Sequence, residues 1–255
     1  MPELRLLSYN VRSLRDDTAA LARVIRATEP DVVCLQEAPR FTGWRRRTAA
    51  LGRATGLHLV AGGAPARGVA VLTTLRPVVE RTADLPLPAT PGLHRRAVAL
   101  AVLRLGHARL AVASCHLGLA AAERRRHAAL LTDLLPRTAH GAPLVLAGDL
   151  NEPPGGAARA TLGRLLRDGW DQAPAGGRLT FPADAPDRAI DAVLAGPGVT
   201  VLRCGVPDPR EGGPGAADLR AASDHLPVLA VLRVAAPPAG PERVRPAGTR
   251  RPVAD

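Results

Sequence analysis

Leu144-Val145-Leu146-Ala147-Gly148-Asp149-Leu150-Asn151 is an apolar run that gives way to two polar groups. Four apolar residues are too few for a helix, and their Val and Leu content suits a strand buried on both faces. Residues two apart in an extended chain project to the same side, so Asp149 and Asn151 are expected to address one ligand. Gly148 is read as room for that ligand's close approach. The same design recurs. Residues 4–7 lead into Ser8-Tyr9-Asn10, residues 31–34 into Leu35-Gln36-Glu37, and residues 110–115 into His116. Asp191 lies inside the apolar run 189–194, and Ser223-Asp224-His225-Leu226-Pro227 precedes the run 228–234. Six strands thus each deliver a reactive group, and polar strand ends can converge on one rim.

Working outward, the pattern predicts strands over residues 3–9 and 31–36, with helices near 17–28 and 43–55. Asp16, Asp17 and Thr18 offer N-cap chemistry for the first helix, and Glu29-Pro30 ends it. Short strands follow near 57–61 and 68–73, then antiparallel strands over 78–83, 95–105 and 109–115, with Gly106-His107 as a hairpin turn. The second half reads as helix (120–135), strand (144–147), helix (157–167) and strands over 190–194, 199–204 and 228–234. Mixed sheets with helices outside imply a layered α/β sandwich in one domain, residues 1–234. Residues 235–255 are Pro, Gly and Arg without periodicity and read as a disordered tail.

The 255 residues carry a formal net charge of +11, which permits attraction to any polyanion. All 34 basic residues other than histidine are arginine, and the chain is dense in Ala, Gly and Pro. That bias suits a skewed genome, so the charge selects no partner. The five aromatics (Tyr9, Phe41, Trp44, Trp170, Phe181) leave the core to Leu, Val and Ala. Cys34, Cys115 and Cys204 form no CxxC pair and read as buried thiols. The first strand starts too near Met1 for a leader, and no run approaches membrane-spanning length, so a monomeric cytoplasmic protein is expected.

Among the candidate residues, Glu37 closes an apolar strand, where a carboxylate is costly unless it meets solvent or a cation. Mg²⁺ takes one or two carboxylates with waters and substrate oxygens, a role open to Glu37 with Asn10 and Asp224. Asp191 in its apolar strand needs a partner, and His225 is paired with it because a carboxylate on one ring nitrogen fixes the tautomer. Arg12, two residues past Asn10, is placed to grip a phosphate oxygen, or else is a solvated arginine. His116 follows a buried strand, where packing and catalysis are both open. The remaining histidines have no HExxH-type spacing, which disfavours zinc. The triplets Arg45-Arg46-Arg47 and Arg124-Arg125-Arg126 fan around a helix and read as solvated faces rather than a DNA footprint.

In order, SYN (8–10), LQE (35–37), SCHL (114–117), GDLN (148–151), AID (189–191) and SDHLP (223–227) resemble the endonuclease/exonuclease/phosphatase superfamily, the fold of pancreatic deoxyribonuclease. The resemblance implies a four-layered α/β sandwich of two mixed, mainly antiparallel sheets packed face to face with helices outside. It implies phosphoester hydrolysis with Mg²⁺ or Mn²⁺ held by Glu37, Asn10 and Asp224. Asp149 and Asn151 would orient nucleophile and phosphate. His225, held by Asp191, would be general base or phosphate ligand, and His116 would contact the scissile phosphate. Nucleic acid, a nucleotide, or a phospholipid or inositol-phosphate head group all remain substrates. A basic nucleic-acid-binding module that kept the fold and lost the chemistry is the alternative. Arg12 stands where abasic-site nucleases of the family show Asp, and Ala192 replaces their usual aromatic, which argues against DNA repair.

Overall fold

The computed structural model describes residues 1–235; the tail expected over 235–255 otherwise lies outside the described residues. In chain order the elements are β1 (Glu3–Asn10), α1 (Thr18–Ala27), β2 (Val32–Gln36), α2 (Trp44–Thr55), β3 (His58–Gly63), β4 (Val69–Thr73) and β5 (Val78–Pro86). Then come β6 (Ala97–Leu105), β7 (Ala108–His116), α3 (Ala121–Ala139), β8 (Leu144–Asp149) and α4 (Ala157–Leu162). The last are β9 (Arg167–Asp168), α5 (Gly169–Gln172), β10 (Asp191–Ala195), β11 (Val199–Gly205), α6 (Ala216–Ala222) and β12 (Val228–Val234). Asp17 caps α1 by accepting from the Ala19 and Ala20 amides at 2.8 and 3.0 Å. Two departures from the sequence reading are local. The helix expected over 157–167 stops at Leu162, and α6 was not anticipated in its short Ala- and Gly-rich segment.

Two six-stranded mixed sheets form the body, ordered β11-β12-β1-β2-β4-β3 and β5-β6-β7-β8-β10-β9. Their inner faces make one apolar layer that includes Leu4, Leu6, Val32, Cys34, Val112, Val145, Val193 and Leu232. The outer faces are covered separately. Leu7, Tyr9, Val33 and Leu35 pack with Leu21, Val24 and Ile25 of α1, while Leu100, Ala113 and Leu146 pack with Leu131 and Leu135 of α3. Strands buried on both faces explain the continuous apolar runs, and period-two alternation decides which cluster each residue joins. This is the expected four-layered sandwich. With aromatics scarce, small side chains let the sheets close in: at Gly62 (φ 91°) a Cβ would lie 2.8 Å from the Ala99 Cβ.

Strand direction sets the working rim. β1 runs parallel to β2 with Asn10 opposite Gln36, and β7 parallel to β8 with His116 opposite Asp149. Antiparallel β10 begins opposite Asp149 with Asp191, and β12 begins just after His225.

Candidate functional site

The rim gathers Asn10, Asp149, Asp191 and His225 into one buried hydrogen-bonded set drawn from both sheets, with His116 buried beside Asp149. His225 Nδ1 lies 2.9 Å from Asp191 Oδ2. Asp149 Oδ2 accepts from Asn10 Nδ2 at 3.1 Å and lies 3.3 Å from His116 Nε2 and 3.9 Å from His225 Nε2. Asp149 Oδ1 accepts from the Asn151 amide at 2.9 Å. His225 is further held by the tilted Phe181 ring, centroid to centroid 4.6 Å.

Burial alone would discharge His225, but its hydrogen bond to Asp191 and the charges of Asp191, Asp149 and Asp224 prevail and raise its pKa to about 9. The shift favours the charged imidazole at neutral pH, and Nε2 lies 3.5 Å from Asn10 Nδ2 and 3.9 Å from Asp149 Oδ2. Asp149 is raised to about 7, by burial first and then by the charge of Asp191, with His225 and its own hydrogen bonds opposing. His116 is held well below the ordinary histidine value by burial and by the positive charges of Arg96, His225, Arg40 and His94. Its neutral form is favoured, with Nε2 3.3 Å from Asp149 Oδ2.

Three sequence expectations change at this rim. Asn151 is not in an extended segment: β8 stops at Asp149, Asn151 adopts φ 50°, and its side-chain amide donates to the Leu117 carbonyl at 2.9 Å. Arg12 likewise lies past the end of β1, at φ 41°, with its guanidinium 3.2 Å from Asp16 and 3.3 Å from Asp224. Neither residue continues its strand, because the chain must turn away at the rim to enter the next helix. Gly148 faces the neighbouring strand rather than a ligand, since a Cβ there would lie 2.0 Å from the Cys115 carbonyl oxygen.

The arginine triplets are solvated as expected, with Arg124 alone half-buried, yet two of their members also hold backbone carbonyls. Arg47 donates to the Ser13 and Leu14 carbonyls, and Arg124 to those of Gly118 and Leu119 and to Glu152. Both brace loops behind the rim. Phe181, Thr180 and Ser223 were not singled out in the sequence. Thr180 Oγ1 accepts from the Asp191 amide at 3.3 Å, and Ser223 Oγ donates to the Asn10 carbonyl at 2.7 Å. The first two come from an aperiodic loop, and Ser223 was quoted within the SDHLP motif without a role.

Glu37 follows β2 at φ 50°, a left-handed conformation costly for a residue with a Cβ. Among the described residues its carboxylate has no hydrogen-bond or ion-pair partner, although β2 ends beside Asn10. Asn10 Oδ1 accepts from the Arg12 amide at 3.1 Å, and Asp224 pairs with Arg12. Ligand atoms of Asp149, Asp191 and His225 also lie within 4.8 Å of one another. There, however, Asp191 Oδ2 and His225 Nδ1 are already joined. Carboxylates with an imidazole nearby are donors that suit a divalent cation, and the Glu37 carboxylate is free to contribute.

Comparison with known proteins agrees with this geometry. Among curated proteins no sequence matches the chain. The structure of an endonuclease/exonuclease/phosphatase from Bacteroides vulgatus superposes with TM-score 0.76 at 18% identity, covering 92% of this chain and 100% of that one. A mannosyl-6-phosphatase from Bacteroides thetaiotaomicron gives 0.75 at 17% identity, with 90% and 99% covered. D. rerio TDP2 complexed with a single-strand DNA product gives 0.70 at 20%, with 92% and 100% covered. At these identities the likeness establishes the fold. Residues 7–225 match the sequence pattern of one family, and with two sheets delivering their polar ends to a single rim, the chain belongs to the endonuclease/exonuclease/phosphatase family.

Proposed function

We propose that this protein is a divalent-metal-dependent phosphoester hydrolase whose reaction centre is the rim set Asn10, Glu37, His116, Asp149, Asp191, Asp224 and His225. The observation that carries the reading is the Asp191–His225 pair at 2.9 Å, aimed at an Asp149 raised to about 7. A base with a pKa near the working pH transfers protons most effectively.

Asp149 takes the proton from the attacking water, positioned by the amide of Asn10. The water oxygen bonds to phosphorus as the bond to the leaving oxygen breaks. His225, kept charged by Asp191, donates its Nε2 hydrogen bond to the phosphoryl oxygens where negative charge grows, and neutral His116 adds a second donor. Glu37, with Asn10 and Asp224, would hold Mg²⁺ or Mn²⁺. When bound, the ion supplies Lewis-acid polarisation of a phosphoryl oxygen and stabilises the leaving oxygen. Asn151 fixes Asp149 through its backbone amide, and Arg12 neutralises Asp224 until substrate phosphate competes for its guanidinium.

A basic module without chemistry would bind nucleic acid as well, so binding at low salt does not separate the readings. The buried, interlocked acid–base set favours catalysis. The test is turnover on a panel of plasmid DNA, oligonucleotides, nucleotides, bis-p-nitrophenyl phosphate, p-nitrophenyl phosphate and lipid or inositol-phosphate head groups. Activity on at least one ester is expected, abolished by chelator, restored by Mg²⁺ or Mn²⁺, and reduced about 10²-fold or more by Glu37→Ala or His225→Ala. No turnover on the panel, or turnover indifferent to both substitutions, refutes the assignment.

A further inference from the structure

Near His116 stands a half-buried guanidinium that this reaction leaves unused. Arg96 stands one residue before β6, whose register with β7 runs up to Val98 opposite Cys115. It therefore emerges beside His116, the last residue of β7. Its carbonyl accepts from the Leu87 amide at 3.0 Å, which ties down both ends of the loop between β5 and β6. Its Nε is buried with no acceptor, and among the described residues the guanidinium forms no ion pair. Burial lowers its pKa, with the charges of Asp149, Glu123 and Glu37 opposing and that of Arg40 adding to the effect. Arg40, on the loop after β2 of the other sheet, is near enough for its charge to bear on Arg96 and His116, and its guanidinium lies over the exposed Phe41 ring, 5.1 Å from the centroid.

A half-buried guanidinium whose Nε lacks an acceptor is costly, and the charge of a second one nearby adds repulsion. Such an arrangement is relieved when an anion enters. A phosphate monoester carries about −1.5 to −2 charges at neutral pH, against one for a diester, and presents an extra anionic oxygen. The planar guanidinium fork suits two non-bridging oxygens at once. We propose that Arg96, with Arg40 across the cleft, is a substrate-binding residue that receives this extra charge, so that the preferred substrates are phosphate monoesters. This rests on the hydrolase reading above. Hydrolysis then breaks the phosphorus–leaving-oxygen bond, joins the water oxygen to phosphorus and yields an alcohol and orthophosphate.

The experiment compares kcat/KM on p-nitrophenyl phosphate and bis-p-nitrophenyl phosphate for the wild type, Arg96→Gln, Arg96→Lys and Arg40→Gln, with metal present. Orthophosphate binding to the same metal-loaded proteins is measured by calorimetry. The wild type is expected to prefer the monoester. Arg96→Gln should lower the monoester-to-diester ratio by about 10- to 100-fold, mostly through KM, and weaken orthophosphate by about 10-fold or more. Arg96→Lys, which keeps the charge and loses the fork, should fall between. If Arg96→Gln does not fold, Arg40→Gln on the more open side carries the same comparison, with a fall in the ratio expected. A wild type that prefers the diester, or a ratio and an orthophosphate affinity untouched by substitution, overturns the proposal. A wild type inert on the whole panel refutes the hydrolase reading instead, and calorimetry then decides the anion site alone.

Discussion

The two sides of the cleft differ in how their charges are answered. On one side Asp191 is joined to His225 at 2.9 Å and Asn10 to Asp149 at 3.1 Å, with His116 3.3 Å from Asp149, and Asp191 Oδ1 is left without a hydrogen-bond partner among the described residues. On the other, Glu37 and Arg96 stand without protein partners among the described residues. The first side is built by folding and is preorganised before anything binds. The second is completed only by groups that the chain does not supply. Stability and activity should therefore be linked on the first side and separable on the second.

Asp191→Asn tests the linked side most severely. Losing the carboxylate removes the tautomer lock and the positive charge on His225, and a loss on the order of 10³-fold in kcat/KM is expected. Stability should fall in the same variant by about 3 kcal/mol, since the buried ion pair is broken and His225 must give up its proton or keep it unpaired. Glu37→Gln tests the other side: turnover should drop by about 10²-fold, while urea unfolding of the chelator-treated protein moves by no more than about 0.5 kcal/mol. If Glu37→Gln costs as much stability as Asp191→Asn, the contrast between the two sides is wrong.

Gly148→Ala probes the scaffold beneath the linked side. Its new methyl would meet the Cys115 carbonyl at 2.0 Å, so β7 and β8 must shift, at about 1–3 kcal/mol measured by thermal or urea unfolding. Unchanged stability there would mean that the two strands are not packed as described.

A gentler test is pH. His225 titrates at about 9 when folded against 6.5 ordinarily, so the folded state holds the proton more tightly. The stability this contributes is full below 6.5 and is lost as pH rises through 9. Asp149, raised from 3.8 to about 7, likewise favours the folded state at low pH and loses that contribution across its own interval. Unfolding free energy of the metal-free protein should decline from pH 4 to 9 through these groups, and the difference between wild type and Asp191→Asn should narrow above 6.5. A difference that widens instead would place the proton elsewhere.

What the sequence makes legible follows from the same division. Each rim strand announces itself as a short apolar run closed by a polar residue, as at Asn10, His116 and Asp149, because burial on both faces forbids polar groups earlier in the strand. The pairing of Asp191 with His225 could be inferred because a carboxylate inside an apolar strand demands a partner. Arg96 could not be inferred. It is one arginine among 34, at the start of a strand expected over 95–105 that begins only at Ala97, and nothing local marks its missing acceptor. Gly148 was misjudged for a similar reason, since the register with Cys115 is a property of two strands and not of either one. Arg12 and Asn151 were read as extended because nothing local marks where a strand leaves its sheet.

Cys34, Cys115 and Cys204 are all buried, and their surroundings push each thiol above its usual pKa, chiefly through burial. A thiolate is the reactive form, so native cysteines should ignore alkylating dyes while the protein stays folded. Leu119, 77% exposed on the loop that leaves His116, could then be replaced by cysteine to give one labelling position beside the cleft. A fluorophore there would report ligand arrival in a background that is otherwise silent.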